Sequence, residues 1–391
     1  MREKERRKKI WQIVFAGICL WLLCSAQVVT AKEIEEDIQI TDELLDRLDM
    51  KEIEDYLKEN EETEDISFLD LVTGFIRGND GANLREAGNY LSKLLFSEFR
   101  ENRQLLVIIV AMAASFALLK NFSTIFKNSY ISDLCFVLVY IELMILLMKS
   151  FLIMHELLQS TLGKIVDFMK MLLPVFAMSM VFSNGTNSAA GFYEMTFLVV
   201  FLVQWVLLYL LAPLVQIFVV MQFLNYILEG EKFSRMCELL EDGIRWGMKI
   251  VVTLVMGLNV VQGLIYPAID RLKTSSWTKA IGMIPGIGNS ANAIGEMLIG
   301  TGMVIKNSVG VAAMLVLVIL VAVPLVKIFV MSFLYKIASA VLEPVTDKRI
   351  AGSINGVFKG SVLAGKLMLT SLFLFFVTIA MITAATSYAA G

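Results

Sequence analysis

Long uninterrupted runs of apolar residues, roughly 18 to 35 residues each, constrain the fold of this chain more than any other feature. A helix of about 20 apolar residues is long enough to cross the ~30 Å hydrocarbon core of a bilayer. Hydrophobic residues make up 57% of the 391 residues and charged residues 18%. Soluble domains contain about 45–50% apolar and about 25% charged residues. The sequence therefore predicts an all-α polytopic membrane protein with about six to eight transmembrane helices.

The N-terminus has the organisation of a secretory signal peptide. Basic residues dominate Met1 to Lys9, the apolar stretch Ile10 to Leu23 follows, and small residues come next. This order of regions is typical of a signal sequence that is removed after export, and Val29–Ala31 fits a cleavage site. We therefore predict a signal peptide over residues 1–31, with an uncleaved first anchor helix as the alternative.

Residues 32–103 form an acidic segment that differs in composition from the rest of the chain. Thr41–Glu59 and Asn83–Arg103 each place apolar residues at helical spacing on one face. If the signal peptide is cleaved, this helical segment lies outside the cytoplasm. It is too short for a large core, so we interpret it as docking onto a partner or the membrane surface. A solvated charged spacer is the alternative.

Apolar segments account for most of the remaining chain. Residues 104–150 contain two predicted transmembrane helices, Gln104–Leu119 and Ile131–Met148. Glu194–Leu228 would be about 52 Å long as a single helix, which exceeds the ~30 Å core, and Pro213 at its middle predicts a kink or break. The other apolar segments are Met171–Ser183, Trp246–Pro267, Val309–Tyr335 and Ser361–Thr386.

The prolines indicate an internal duplication. Two pairs of prolines have the same spacing of 39 residues, and the second pair lies 111 residues after the first. Six of the seven residues that begin at the second proline of each pair are identical. The sequence therefore predicts two membrane repeats, 164–268 and 275–386. The pairs are Pro174 with Pro213, and Pro285 with Pro324.

Each predicted repeat contains a short proline segment, a long helix broken at proline, and a final span. Repeats with short interrupted segments are a feature of transporters and channels. If the short segments cross the membrane the repeats are inverted, and if they are re-entrant the repeats are parallel. Glycines spaced four apart open each final span and predict close helix contacts; they are Gly243, Gly247, Gly356 and Gly360.

The stretch PGIGNSANAIGEMLIGTG, Pro285 to Gly302, has the glycine spacing of a dinucleotide-binding loop at Gly286 and Gly288. That fingerprint requires a preceding strand within a βαβ unit, whereas apolar membrane segments flank this stretch. We therefore interpret its glycines as permitting close packing or an unwound backbone inside the membrane.

The sequence contains no motif for catalysis, cofactors or nucleic acid. It has no P-loop, no G-x-S-x-G and no H-E-x-x-H, and His155 is its single histidine. Lysines and arginines are distributed over the loops without a patch for nucleic acid. We therefore predict a non-enzymatic protein without a cofactor or bound metal.

Polar residues inside apolar segments are the better functional candidates, because a charge at membrane depth usually faces protein or a water-filled cavity. Glu296 follows a proline–glycine break and is a candidate pore- or partner-facing carboxylate. Glu142 and Glu194 are interpreted as solvated near an interface. The other polar interruptions are Gln204, Gln216, Asn259 and Gln262. The complete set of candidate pore or packing residues is Glu296, Pro174, Pro213, Pro285, Pro324, Gly286 and Gly288.

The stretch VIKNSVGVAAMLVLVILVAVPLVKIFVMSFLYKIASAVLEPVTDKRI, Val304 to Ile350, resembles the stage III sporulation protein AE family. The resemblance is most specific at Lys306-Asn307, Pro324-Leu325, Tyr335 and Glu343-Pro344. It implies a component of the channel that links mother cell and forespore, located in the mother-cell-derived membrane around the forespore. It also implies ring-forming membrane proteins, a separate ATPase and a forespore-side protein as partners, and no catalytic residue.

The predicted function is therefore that of a non-enzymatic membrane component of this channel complex, with membrane lipid as a further contact. A secondary transporter that uses Glu296 as an ion or proton site is one alternative. A membrane scaffold that recruits the ring proteins and conducts nothing is another.

Overall fold

The computed structural model describes most of the chain after residue 43. It covers residues 43–45, 47–60, 62–77, 129–184, 186–227, 232–281, 288–344 and 346–387, with isolated residues between 97 and 115. The regular elements in these ranges are all helical. The predicted signal peptide, residues 1–31, lies outside the described residues.

Two short helices precede five long helical rods. The third helix is the first rod. The second rod is α-helical at both ends and π-helical in its middle. The helices are α1 Lys51–Glu59, α2 Phe68–Ile76, α3 Ser129–Asn184, α4 Thr186–Val203 continued by a π-helix Gln204–Leu211 and by α5 Ala212–Ile227, α6 Ser234–Ile281, α7 Gly288–Leu342, and α8 Lys348–Ser387.

Within the described ranges, five helical rods are long and apolar enough to cross a membrane. The expected segments Ile131–Met148 and Met171–Ser183 lie in one continuous helix, α3, whereas the other four segments expected up to residue 386 each lie in a rod of their own. The additional span expected at Gln104–Leu119 lies largely outside the described residues. The all-α membrane class is therefore confirmed, with five candidate spans in this part of the chain.

The five rods run alternately up and down. Ser150 of α3 and Tyr335 of α7 share a hydrogen bond with 2.5 Å between the hydroxyl oxygens, and Phe176 approaches Gly310 further along the same two helices. Because residue numbers rise in α3 as they fall in α7, these helices are antiparallel. Helix α8 contacts every other rod and lies at the centre of the packing.

Glycines at every fourth position of α8 allow α5 to approach closely. A Cβ atom at Gly360 would lie 2.2 Å from Cγ2 of Val219, and one at Gly356 would lie 2.8 Å from Cβ of Gln222. Neither distance is possible between real atoms, so the contact requires glycine at these positions. The row consists of Gly352, Gly356 and Gly360.

The prolines change the helices less than the sequence suggests. Pro174 lies inside the unbroken helix α3, and Pro324 lies inside the unbroken helix α7, so the expected separate short segment at Pro174 and the expected break at Pro324 are wrong. Before Pro213 the rod winds as a π-helix from Gln204 to Leu211. The proline ring would clash with a carbonyl in the preceding turn, and a wider turn is one way to relieve this clash. The duplication itself stays a prediction.

The acidic N-terminal segment packs against the bundle of its own chain. We call residues 47–77 the clasp. The Tyr56 hydroxyl donates to the backbone carbonyl of Lys164 at 2.8 Å, and the Lys164 ammonium lies 2.6 Å from Glu62. The rings of Phe68 and Phe168 meet edge to face with centroids 6.4 Å apart. The clasp is therefore docked on α3, and α2 also contacts α7.

We expect Gly360→Ala to lower the thermal stability of the protein, because the new methyl group overlaps Val219. Overpacking of this kind costs about 1–3 kcal/mol. Gly243→Ala is the matched control, since no atom lies within 4 Å of a Cβ atom at that position. The melting temperature in detergent measures both, and equal values for the two variants would contradict the close contact.

The docking of the clasp is expected to weaken at high pH. Burial raises the pKa of the Tyr56 phenol to about 12, and the charge of Asp167 adds to the rise. Docking is therefore at full strength below pH ~10, where a free phenol is still protonated, and weakens between about pH 10 and 12. Spin labels attached to Lys58→Cys and Gln159→Cys, in a protein without the native cysteines, should show a broader distribution of label-to-label distances as docking weakens. Tyr56→Phe should remove this pH-dependent change.

Candidate functional site in the helical bundle

Three rods contribute polar side chains to one region of an otherwise apolar bundle. We call this region the polar seam. Its side chains are buried, apart from one half-buried threonine. They are Asn259 and Gln262 of α6, Lys306 of α7, and Thr378 and Thr383 of α8.

The amides of α6 are partly unsatisfied. Asn259 Nδ2 donates to the Thr378 hydroxyl at 3.0 Å, and this hydroxyl donates in turn to the carbonyl of Leu374 at 2.8 Å. Asn259 Oδ1 and Gln262 Nε2 find no hydrogen-bond partner among the described residues. A buried polar atom without a partner costs about 1–3 kcal/mol. The amides therefore provide one acceptor and one donor for a water molecule or another polar group.

Lys306 is the charged member of the polar seam. Its side chain is 0% exposed, and its ammonium donates to the carbonyl of Thr383 at 3.3 Å. No acidic side chain pairs with it in the part of the chain that the structure describes. An ammonium has three donors, and burial without an opposite charge is costly. The position of Lys306 therefore favours a further polar contact within the bundle.

Close packing of α7 on α8 places Lys306 under cover. A Cβ atom at Gly310, one turn after Lys306, would lie 2.4 Å from Cγ2 of Thr383. The small residues Ala312 and Ala313 that follow are also fully buried. Because these residues bring the two backbones together, α8 covers the Lys306 side chain on that side of α7.

Helix α6 brings its amides against α8, the helix that also contacts Lys306. It runs parallel to α8, since Met248 contacts Thr370 and Asn259 contacts Thr378. One turn beyond Asn259, Gln262 therefore reaches a level near Thr383, which accepts from Lys306. The polar seam thus consists of groups from α6 and α7 that reach α8 at two positions, Thr378 and Thr383, about 7.5 Å apart along its axis.

The polar interruptions identified in the sequence divide into three groups. Asn259 and Gln262 are buried in the polar seam. Glu142 and Glu194 are exposed, which agrees with their interpretation as solvated carboxylates, and Gln204 and Gln216 are half-buried on the second rod.

The other candidate residues do not form a cluster among the described residues. Glu296 lies on α7 about 15 Å along the axis before Lys306, and its side chain is outside the described part. Gly288 is the first residue of α7, whereas Pro285 and Gly286 are also outside it. The three remaining prolines lie on α3, α5 and α7; Pro174 is exposed, Pro213 half-buried and Pro324 buried.

Lys306 is not among the candidate pore or packing residues drawn from the sequence, although the sequence does contain a signal for it. It is the single charged residue between Gly300 and Val326, in the most apolar of the candidate spans. A solitary charge in such a run usually faces the interior of the bundle. The sequence does not show which helices surround it, because these contacts join residues 77 positions apart.

The groups of the polar seam suit hydrogen bonding more than catalysis. They are amides, hydroxyls and one amine, which can hold water or a small ion. Among the described residues, no group of three or more His, Cys, Asp or Glu side chains could hold a metal ion.

Comparison with known proteins assigns the chain to a family. The sequence model of the family described as stage III sporulation protein AE matches residues 66–386. The chain belongs to this family. The protein named stage III sporulation protein AE from Bacillus subtilis (strain 168) is 23% identical over 313 residues, covering 79% of this chain and 78% of that protein. No solved structure matches the chain. The family match includes α2, all five rods and the polar seam.

We expect Lys306→Met to leave the thermal stability of this sporulation-family protein unchanged or to raise it. Methionine has a similar volume, and replacing a buried charge by an apolar group is often neutral or stabilising by about 1–4 kcal/mol. Lys336→Met is the control, as it removes an exposed ammonium 4.9 Å from the Phe358 ring centroid. A loss of about 3 kcal/mol or more would contradict this and indicate a buried acidic partner.

Proposed function

We propose that this chain is a non-enzymatic integral membrane component of a channel complex between mother cell and forespore that is required for spore development. Its five-rod bundle would form or gate the part of the conduit that lies in the mother-cell-derived membrane around the forespore. Membership of the stage III sporulation protein AE family is the observation that carries this proposal.

The polar seam supports a role inside the membrane beyond scaffolding. A bundle that served as an anchor alone would be most stable with an entirely apolar interior, because buried amides and amines without partners are costly. Lys306, Asn259 and Gln262 carry this cost in the bundle. Water or a passing polar group would satisfy them, which suits a conduit or its gate.

The clasp supports a role in assembly. It holds an acidic surface against the outside of the bundle through Tyr56, Glu62 and Phe68. We propose that this surface faces the space between the two membranes and meets ring-forming membrane proteins there. A separate ATPase and a forespore-side protein would complete the complex.

Two other functions remain alternatives. A secondary transporter would use Glu296 as its ion or proton site, and a scaffold would recruit the ring proteins without conducting anything. Replacing Glu296 by Gln distinguishes them, since a proton-coupled carrier should lose function and a scaffold should be unaffected.

The proposal is tested in an endospore-forming bacterium that lacks its own copy of the gene. We expect Lys306→Met to reduce the yield of heat-resistant spores strongly, while the protein still accumulates and co-purifies with ring components from sporulating cells. Lys336→Met should sporulate normally.

Two results would contradict the channel proposal. One is normal sporulation of the Lys306→Met strain, which would favour the scaffold. The other is full transport activity of the purified protein alone in reconstituted vesicles, which would favour a solitary carrier.

A further inference from the structure

The rods of this bundle are much longer than a membrane is thick. Helix α3 has 56 residues and α7 has 55, which correspond to about 84 and 82 Å. A bilayer is ~30 Å thick in its hydrocarbon core and about 40–45 Å with its headgroups. Roughly half of α3 and of α7 must therefore lie outside the membrane, although both helices are apolar over most of their length.

Contacts between the rods define a common height near the middle of the bundle. Gly247 of α6 packs on Leu211, and the next residue, Met248, contacts Thr370 of α8. On α3 and α7, the contacts described above place Lys164 within about a turn of Pro324. We call this height the mid-level. The half that contains Ser150 and Gly360 is the lower half, and the half that contains the polar seam is the upper half.

Exposed charges distinguish the two halves. Among the described side chains, the upper half has three exposed charged residues, Asp167, Lys170 and Glu194. The first two lie beside the clasp. In the lower half, exposed charges occur at many heights and on most of the rods: Glu142, Lys149, Glu156, Arg235, Glu238, Asp242, Lys336 and Lys359. Such positions cannot face lipid at low cost, so the lower half is incompatible with the hydrocarbon core.

Side chains at the mid-level have the composition of a membrane interface. Trp246 and Tyr209 are 68% and 64% exposed, and the exposed Lys249 and Lys366 and the half-buried Lys327 lie within about a turn of them in height. Tryptophan and tyrosine are enriched where headgroups meet hydrocarbon, and lysine places its ammonium among the headgroups. We call these five residues the interfacial belt.

The clasp meets the bundle at this same height. It binds Lys164 through Glu62. Outside the clasp, Glu98 lies 3.5 Å from Lys327. The outer side of α1 carries exposed acidic and basic residues, including Glu52 and Lys58. Because these charges require water, the bilayer cannot extend past the clasp into the lower half.

The opposite boundary follows from the second rod. Tyr193 is 40% exposed and Glu194 follows it, about 27 Å along the helix from Leu211. This distance matches the ~30 Å hydrocarbon core. Asn259 and Gln262 of the polar seam then lie between the two boundaries, whereas Lys306, about 27 Å along α7 from Pro324, is level with the second boundary.

We propose that the interfacial belt binds the headgroups of one bilayer surface, so that the upper half alone crosses the membrane. The lower half then stands as a stalk roughly 30 Å tall in the aqueous compartment that contains the clasp. Lys249 and Lys366 contact phosphate groups of the lipids, Lys327 pairs with Glu98, and the ends of α3 and α8 at Asn184 and Ser387 reach the other side. This placement does not depend on the channel proposal.

Site-specific labelling of the full chain tests the placement in membrane vesicles of both orientations. In a background where the native cysteines are Ser, single cysteines are placed at Asp55 in the clasp, at Glu142 and Lys359 in the stalk, and at Phe197 in the upper half. A membrane-impermeant maleimide should label Glu142→Cys and Lys359→Cys from the same side as Asp55→Cys. Phe197→Cys should react from neither side until detergent is added.

Two labelling results would overturn the proposal. The first is protection of Glu142→Cys and Lys359→Cys together with labelling of Phe197→Cys. The second is labelling of the stalk from the side opposite to Asp55→Cys.

Tryptophan fluorescence provides a second test that needs no cysteine variant. With the other tryptophans replaced by Phe, Trp246 should be quenched most by lipids brominated close to the headgroup. Trp205, about 9 Å further into the upper half, should be quenched most by lipids brominated deeper in the chain. Deep quenching of both would place the mid-level inside the bilayer and overturn the proposal.

Discussion

Close packing around α8 is the interaction on which the rest of the bundle depends. Lipid chains are as apolar as leucine side chains, so helices gain little from leaving lipid and associate through shape and hydrogen bonds. Gly356 and Gly360 bring α5 against α8, and Gly310 brings α7 against it. Because α8 contacts every other rod, these glycines fix the relative heights of all five.

The relative heights of the helices determine which polar side chains lie against α8. Lys306 and the amides Asn259 and Gln262 belong to helices that are far apart in the chain, and both helices pack against α8. The clasp fixes a second relation, since Tyr56 and Glu62 hold the acidic segment at one height on α3.

The sequence predicted the helical membrane class and most of the spans, because both depend on composition and length alone. It identified Asn259 and Gln262 as candidates because amides interrupt an apolar run, together with Gln204 and Gln216, which are half-buried. Its expectations at Pro174 and Pro324 were wrong. Proline removes one backbone hydrogen bond, but packing of long helices on both sides holds the chain helical across that gap.

What the sequence determined by itself is therefore the presence of several long apolar segments, their helical state and the family to which they belong. These follow from local hydropathy, since every backbone hydrogen bond in lipid must be formed within a helix or a closed barrel. Only the tertiary structure shows that Lys306 contacts Thr383 and that the clasp docks at Lys164. It also shows that the exposed charges of different rods lie mostly in the same half of the bundle. Those features depend on the register between helices, which is set by close contacts such as Gly360 with Val219, between residues far apart in the chain.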